Sequence, residues 1–354
     1  MRSFPSLTLP TQTTLEDVAK RAGVHRSTVS LALRDSPRIT PEVRQRIQAL
    51  AKEMNYRVNP LVATLMRSRR SGHAVKHVCL AYVTNYPTRF GWRPPHHDRP
   101  DFFPGALKRA AELGYKLEHF WLGEPGMTPA RFSDILSGRA ITGVLIGRLP
   151  PGQSQLDLCW ERFASVALGF TLRSPVLHHV VEDPFSAATQ TVEQCLARGY
   201  QRLGFVFADA DDSPRTGDRF LGAFLRQQFR LPAKDHIPPC EYEPGAAFKK
   251  KFLAWVKRWK PDALVTTHGQ PIHDWLREAG YDVPGDIGLA TLINDHLHEG
   301  ISGLHHDPQV LGGLATDMVV GMLHRGELGL PAEPHFVLTP GAWIEGGTLR
   351  PRAD

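Results

Sequence analysis

Histidine is the residue type whose clustering most invites a chemical reading. The 354-residue chain carries 17 histidines. Many fall together, as His96-His97, His178-His179, His305-His306 and the run Asp295-His296-Leu297-His298. Imidazoles beside a carboxylate are a ligand set for zinc. None of these groups has the i, i+4 spacing that sets two ligands on one helix face, and no CxxC pair accompanies them. Metal sensing is therefore the minor reading, and no metal or cofactor is expected. A second concentration is Asn85-Tyr86-Pro87-Thr88-Arg89-Phe90-Gly91-Trp92-Arg93. Here Tyr86, Arg89 and Trp92 offer stacking and charge recognition for a small molecule. The plain alternative is a loop packed at an interface between copies. The sequence contains no GxSxG, no P-loop and no glycine-rich dinucleotide fingerprint, so no catalytic residue is expected and the chain reads as a non-enzyme.

Charge is distributed unevenly. Residues 1–71 hold 13 Lys/Arg against 5 Asp/Glu, a balance of +8, while the rest holds 29 against 31, a balance of −2. A basic module on a near-neutral body suits a polyanionic partner. Hydrophobic content of 42% is that of a globular chain, and 354 residues suffice for two or three cores. The four cysteines, Cys79, Cys159, Cys195 and Cys240, are too scattered for a disulfide framework. No apolar run approaches the about 20 residues of a membrane span, and residues 1–13 lack the apolar core of a secretory signal. A cytoplasmic, membrane-free protein with a loose tail over 1–13 is expected.

The elements that must position a polyanion site lie in the basic module. Thr14-Leu15-Glu16-Asp17 has the pattern of a capping box. Leu15, Val18, Ala19 and Ala22 follow at i, i+3, i+4 and i+7, the buried face of a first helix, and Gly23 can stop it in the left-handed conformation. A second short helix is expected over about 26–33. The offsets of Ala19, Gly23, Val24 and Val29 are those of a helix-turn-helix. Thr40-Pro41 starts a third helix, over about 41–54. Asn59-Pro60 can start a fourth of about two turns, too short to be stable alone in water.

The run Thr14-Leu15-Glu16-Asp17-Val18-Ala19-Lys20-Arg21-Ala22-Gly23-Val24, with Ser27-Thr28-Val29-Ser30 and Asn55-Tyr56, resembles the LacI/GalR family of transcription regulators. The resemblance implies that the second helix enters the major groove of double-stranded DNA. Arg26, Ser27 and Leu31 match the base-reading positions, Thr28 and Ser30 are placed for phosphates, and Thr14 is expected as a further DNA contact. The alternative for Arg26 is a solvated surface arginine. Two departures matter. His25 stands where the family often has Ser, and Leu31 where it often has Arg. Leucine can touch a thymine methyl but cannot fork onto guanine. The resemblance also makes 59–74 a hinge helix capped by Asn59, whose Leu65 wedges into the minor groove. Leu65 packing between domains is the alternative.

Beyond residue 75 short apolar runs alternate with helical stretches. Strands are expected at 78–83, 115–121, 143–146, 165–168, about 180, 203–207, 263–266 and 287–292. Helices are expected at 104–113, 129–137, 154–163, 184–199, 217–229 and 245–259. Such alternation is a doubly wound pattern. The fold expected is an all-α helix-turn-helix N-terminal domain followed by an α/β two-subdomain periplasmic-binding-protein-like module. Domain boundaries are expected at 1–13 (tail), 14–58 (DNA-binding), 59–74 (hinge) and 75–350 (effector and dimerisation). Within the last, 75–180 and 304–327 would form one subdomain, and 181–303 and 328–350 the other. Ligands of such sheets sit at strand C-termini. The family resemblance, weaker here, places Arg219 of Arg219-Phe220-Leu221-Gly222 on the effector, with Asn294 and Asp295 near it. A salt bridge in the cleft wall is the alternative for Arg219. The whole reading is a homodimer on a pseudo-palindromic operator, controlled as a repressor by a small-molecule effector, with a carbohydrate the class the resemblance suggests. The competing reading is a solute-binding module without specific DNA binding.

Overall fold

The computed structural model describes residues 13–33, 36, 38–54, 56, 78–93, 101–208, 218–242, 246–294 and 300–352. The expected hinge with Asn59 and Leu65, and Asp295 with its neighbouring histidines, lie outside them.

The N-terminal unit contains helices α1 (Leu15–Ala22), α2 (Arg26–Ala32) and α3 (Pro41–Glu53). Val18, Ala19, Val29, Ala32, Ile47 and Ala51 form its core, with Val24, Leu33, Val43 and Tyr56 packed around them. The core is small, so fixed ends matter. Thr14 and Asp17 cap α1 reciprocally, and Gly23 closes it at φ 65°. Gln48 donates to the Ala32 carbonyl, tying α3 to the end of α2.

The second unit holds two parallel-rich sheets. In chain order its elements are β1 (Val78–Thr84), α4 (Phe103–Glu112), β2 (Tyr115–Trp121), α5 (Pro129–Gly138), β3 (Gly143–Ile146), β4 (Ala164–Leu168), β5 (His178–Glu182), α6 (Pro184–Leu196), β6 (Leu203–Ala208) and α7 (Asp218–Gln228). There follow β7 (Cys240–Tyr242), α8 (Ala246–Trp259), β8 (Ala263–Thr266), α9 (Gly269–Glu278), β9 (Gly288–Thr291), β10 (Ser302–His305), α10 (Pro308–Arg325), β11 (Phe336–Thr339) and β12 (Ala342–Ile344). The first sheet has the order β11-β5-β4-β3-β1-β2 and the second β12-β10-β9-β8-β6-β7. All pairs are parallel except β10 with β12. Gly143–Ile146 and Ala164–Leu168 are buried throughout, as strands covered on both faces must be. In the second lobe Val192, Phe205 and Phe224 pack one side of the sheet, and Phe252, Leu276 and Leu289 the other.

The chain passes between the lobes three times, after β5, after β10 and between β11 and β12. Residues 328–350, expected in the second subdomain, are therefore divided: β11 extends the first sheet and β12 the second. The expected helix over 154–163 is reduced to a 3-10 turn at Trp160–Arg162. Leu156, Leu158 and Trp160 are all buried, a period of two that a helix cannot satisfy. Residue 155 instead bridges Ser174, and Leu156 donates to the Ser174 carbonyl.

Helices α4 and α10 touch backbone to backbone. A Cβ on Gly105 would run into the Gln309 carbonyl, and one on Gly312 into the Phe102 carbonyl. Thr316 Oγ1 donates within α10 to the Gly312 carbonyl at 2.9 Å and lies 3.4 Å from the Ala106 carbonyl of α4. Gly312→Ala must force these helices apart, so we expect a loss of about 1–3 kcal/mol by chemical denaturation; an unchanged midpoint would contradict the close contact. In the second lobe, buried Arg198 donates twice to Glu345 at 2.7 Å. Burial raises the Glu345 pKa, but bonds from Trp343 and Arg198 outweigh it, leaving the carboxyl below its ordinary 4.5. The depressed value means that this stabilisation is full above about pH 4.5 and is lost as pH falls through the folded value. Because Glu345 is half-exposed, Glu345→Gln should cost about 1–2 kcal/mol at neutral pH and less at pH 3.

Candidate functional site

The first site is the outer face of α2. The helix buries Val29 and Ala32, which turns Arg26 and Ser27 to solvent and leaves Thr28, Ser30 and Leu31 half-buried. Ser27, Ser30 and Leu31 stand at i, i+3 and i+4, one stripe of a helix. Its first turn is organised by His25, whose Nδ1 accepts the Ser27 N–H at 3.3 Å and lies 2.8 Å from Ser27 Oγ. Imidazole thus does the capping that serine would do. Sequence reading noted the unusual residue but not this role. Thr14 Oγ1 accepts the Asp17 N–H at 3.2 Å and donates to Asp17 Oδ2 at 2.7 Å. The Thr14 side-chain and backbone bonds hold the Asp17 carboxyl below its ordinary value. The Thr14 hydroxyl is thus committed to the cap, and a phosphate contact would have to share it.

The second site is where the C-terminal ends of the first sheet face the second lobe. Of the loop residues expected there, Tyr86 and Trp92 are only 6% exposed. The Trp92 ring lies 5.2 Å from Tyr82, 5.8 Å from Phe103 and 5.0 Å from His119, and its Nε1 donates to the Arg89 carbonyl. The pair therefore builds a wall rather than open stacking surfaces. The neighbours come from β1, α4 and β2, which no local pattern in the loop could reveal. Burial, with Arg89 and Arg93 close by, pushes His119 down to about 4. Arg93 covers the Trp92 ring at 5.0 Å and pairs with buried Asp101 at 2.9 Å. Burial raises the Asp101 pKa despite that pairing. Arg148 lies 4.3 Å over Phe102 and pairs with Glu182 at 2.9 Å. Exposed Arg89 sits over Phe90.

Arg219, expected on the effector, is exposed in the first turn of α7, its guanidinium 4.3 Å over the Phe170 ring. It forms no ion pair among the described residues, so the expected alternative of a salt bridge in the wall is not found there. Around it opens a cavity of about 670 Å³, lined by Phe170, Phe185, Phe336, Leu338, Asp183 and Arg219 among others. This volume is in the range of small-molecule sites. Asn294 is fully buried and donates to the Ile301 carbonyl at 3.1 Å, within the β9–β10 turn. The apolar lining of the cavity escaped sequence reading. Phe336 and Leu338 come from a strand more than a hundred residues away from Arg219, and their i, i+2 spacing between Pro334 and Pro340 was the one available signal.

The family model described as bacterial regulatory proteins, lacI family, matches residues 14–59, and the periplasmic binding protein-like domain matches residues 192–349. The HTH-type transcriptional regulator RegA of Clostridium saccharobutylicum is 20% identical over 341 residues, covering 92% of this chain and 96% of its own. Among solved structures, a complex of the transcriptional regulator CelR with cellobiose aligns with a TM-score of 0.56 at 18% identity, over 95% of this chain and 100% of the other. The lac repressor dimer bound to operator and the anti-inducer ONPF aligns at 0.55 and 17%, over 96% and 100%. At these identities the structural likeness shows the fold. The head match gives the chain a lacI-family helix-turn-helix domain and the body match a periplasmic-binding-protein-like domain, and the relative it resembles over most of its length is a transcription regulator.

Proposed function

We propose that this regulator is a homodimeric repressor that binds a pseudo-palindromic operator and changes its DNA affinity when a small molecule occupies the cleft between its lobes. The observation that carries the reading is the α2 face. Arg26 and Ser27 stand exposed on a capped helix, within a 71-residue segment that holds the chain's whole positive excess. In the proposal Arg26, Ser27 and Leu31 meet base edges, and Thr14, Thr28 and Ser30 meet phosphates. Residues 14–58 form the DNA-binding domain and 59–74 the hinge, with Asn59 as its cap and Leu65 as a minor-groove wedge. The lac repressor relative bound to operator as a dimer supports this assembly.

The body supplies control. Residues 75–350 act as effector-binding and dimerisation domain, and Arg219 is the strongest effector contact. Asp295 is kept as a further one, and Arg89 as a rim charge. The three crossings make the lobes two bodies on short tethers, so a bound molecule can favour one mutual arrangement over another. Such a ligand shifts the population of DNA-competent dimers. The cellobiose complex of the CelR relative makes saccharides the natural comparison class for ligand trials.

The test is selection of bound duplexes from a random pool by the purified full-length protein. An inverted repeat should be enriched. Arg26→Ala should relax preference at one position per half-site, at a cost of about 1–3 kcal/mol. Leu65→Ala should weaken binding to the selected site while leaving base preferences in place. If folded protein enriches no sequence, with or without candidate ligands, the regulator proposal fails and a solute-binding module without specific DNA binding becomes the leading account.

A further inference from the structure

We propose that the cavity at Arg219 takes a planar aromatic carboxylate rather than a neutral saccharide. The inference builds on the effector cleft of the regulator reading and names its ligand class. It rests first on charge. Arg93 and Arg148 each lie on an aromatic ring at the C-terminal edge of the first sheet, and each is neutralised by a carboxylate, Asp101 and Glu182. Arg219 lies on a ring in the same manner but has no carboxylate partner among the described residues. The two acids beside it are already employed. Asp183 caps α6 by accepting the Ser186 N–H at 3.0 Å, and Asp218, in the first turn of α7, already interacts with another group. Both carboxylates stand at helix N-termini, which offset their charge. Among the described residues Arg219 is thus a cavity-lining cation with no carboxylate paired to it, and a planar guanidinium is suited to a carboxylate.

The second basis is the wall. Arg219, Phe170, Phe336 and His179 form a continuous stack: 4.3 Å from guanidinium to ring, 6.4 Å between the two phenyl centroids, and 4.7 Å from Phe336 to His179. His179 is fixed in turn by the Gly169 carbonyl at 2.9 Å. Facing the cavity beside this ladder, Phe185, Phe336 and Leu338 remain 53%, 46% and 52% exposed. Three large apolar side chains left half-uncovered around one opening mark a site awaiting an apolar body. A saccharide would need several donors and acceptors along its hydroxyls, and leaving them unpaired against such a wall is costly. A flat ring can pack against exposed Phe185 and the uncovered edge of Phe336 and leave its carboxylate free for the arginine.

The probes are benzoate, its neutral isostere benzamide, cyclohexanecarboxylate and cellobiose, each titrated calorimetrically into the full-length protein. Benzoate should bind in the millimolar range, as suits a fragment of so few atoms. Benzamide and cyclohexanecarboxylate should each bind several-fold more weakly, and cellobiose not detectably. Arg219→Gln, at an exposed position and checked for an unaltered melting temperature, should weaken benzoate by ~10-fold. Phe185→Leu, at an exposed position of the lining, should weaken benzoate more than cyclohexanecarboxylate. The inference is overturned if benzamide matches benzoate, if Arg219→Gln binds benzoate as wild type does, if cellobiose binds and benzoate does not, or if benzoate fails to bind at about 10 mM. Duplex selection on the same preparation separates the two proposals. Selective DNA binding without benzoate binding sinks this inference alone. Benzoate binding without DNA selection supports the pocket and sinks the regulator.

Discussion

Parallel pairing decides where this molecule can do anything. Two parallel neighbours cannot be joined by a tight turn. Each strand must be followed by a segment that climbs back over the sheet, and a helix is the segment that keeps its own backbone satisfied. The C-termini of β1, β2, β5, β6, β7, β8 and β10 accordingly each lead into a helix. The loops between them gather on one edge of each sheet. Loop 85–93, Arg148, Phe170 and the starts of α6 and α7 all lie on such connections. That common edge is also where the chain leaves one lobe for the other. A molecule held there would touch both lobes and the tethers between them.

The head obeys a different constraint. Its core has six fully buried side chains from three short helices, a quantity of apolar burial that leaves little margin. Local devices supply what burial does not: the Thr14–Asp17 box, Gly23 in a left-handed turn, and His25 on the next helix. The consequence is an economy of side chains. Inward positions are spent on packing, cap positions on helix ends, and the face of α2 is released for recognition. The basic excess of the segment then brings it to a polyanion without further structure.

How much of this was legible depended on how local each cause was. The caps of α1 and α2 lie within four residues of what they stabilise, so Thr14-Leu15-Glu16-Asp17 and Gly23 placed the head helices to within a residue or two. Buried strands such as 143–146 were equally plain, because a continuous apolar run bounded by turn residues has few other readings. Failures began where the partner was distant. Leu156, Leu158 and Trp160 looked helical in composition, yet a bridge to Ser174 draws them out as extended chain. Tyr86 and Trp92 were recognised as aromatic groups at a strand end, but their burial is decided by Phe103 and His119 from other elements. Arg219 was found through family resemblance. Its phenyl platform was not, since Phe170 and Phe336 meet it only after the chain has crossed between lobes.

The last strand of the first sheet has a consequence in time as well as in space. Strand β5 ends at residue 182, and its outer neighbour β11 begins only at residue 336. At ~5–20 residues per second of translation, the first lobe therefore waits roughly 8–30 s with its β5 edge bare. During that interval the nascent lobe carries an unpaired edge of the kind that recruits strands from other chains. The first lobe is closed by β11 only after β6 to β10 of the second have been made, and the second is closed by β12 only after β11. A ribosome that stalls within the final twenty residues of that interval leaves both incomplete, and the cell must then shield or degrade the pair as one object.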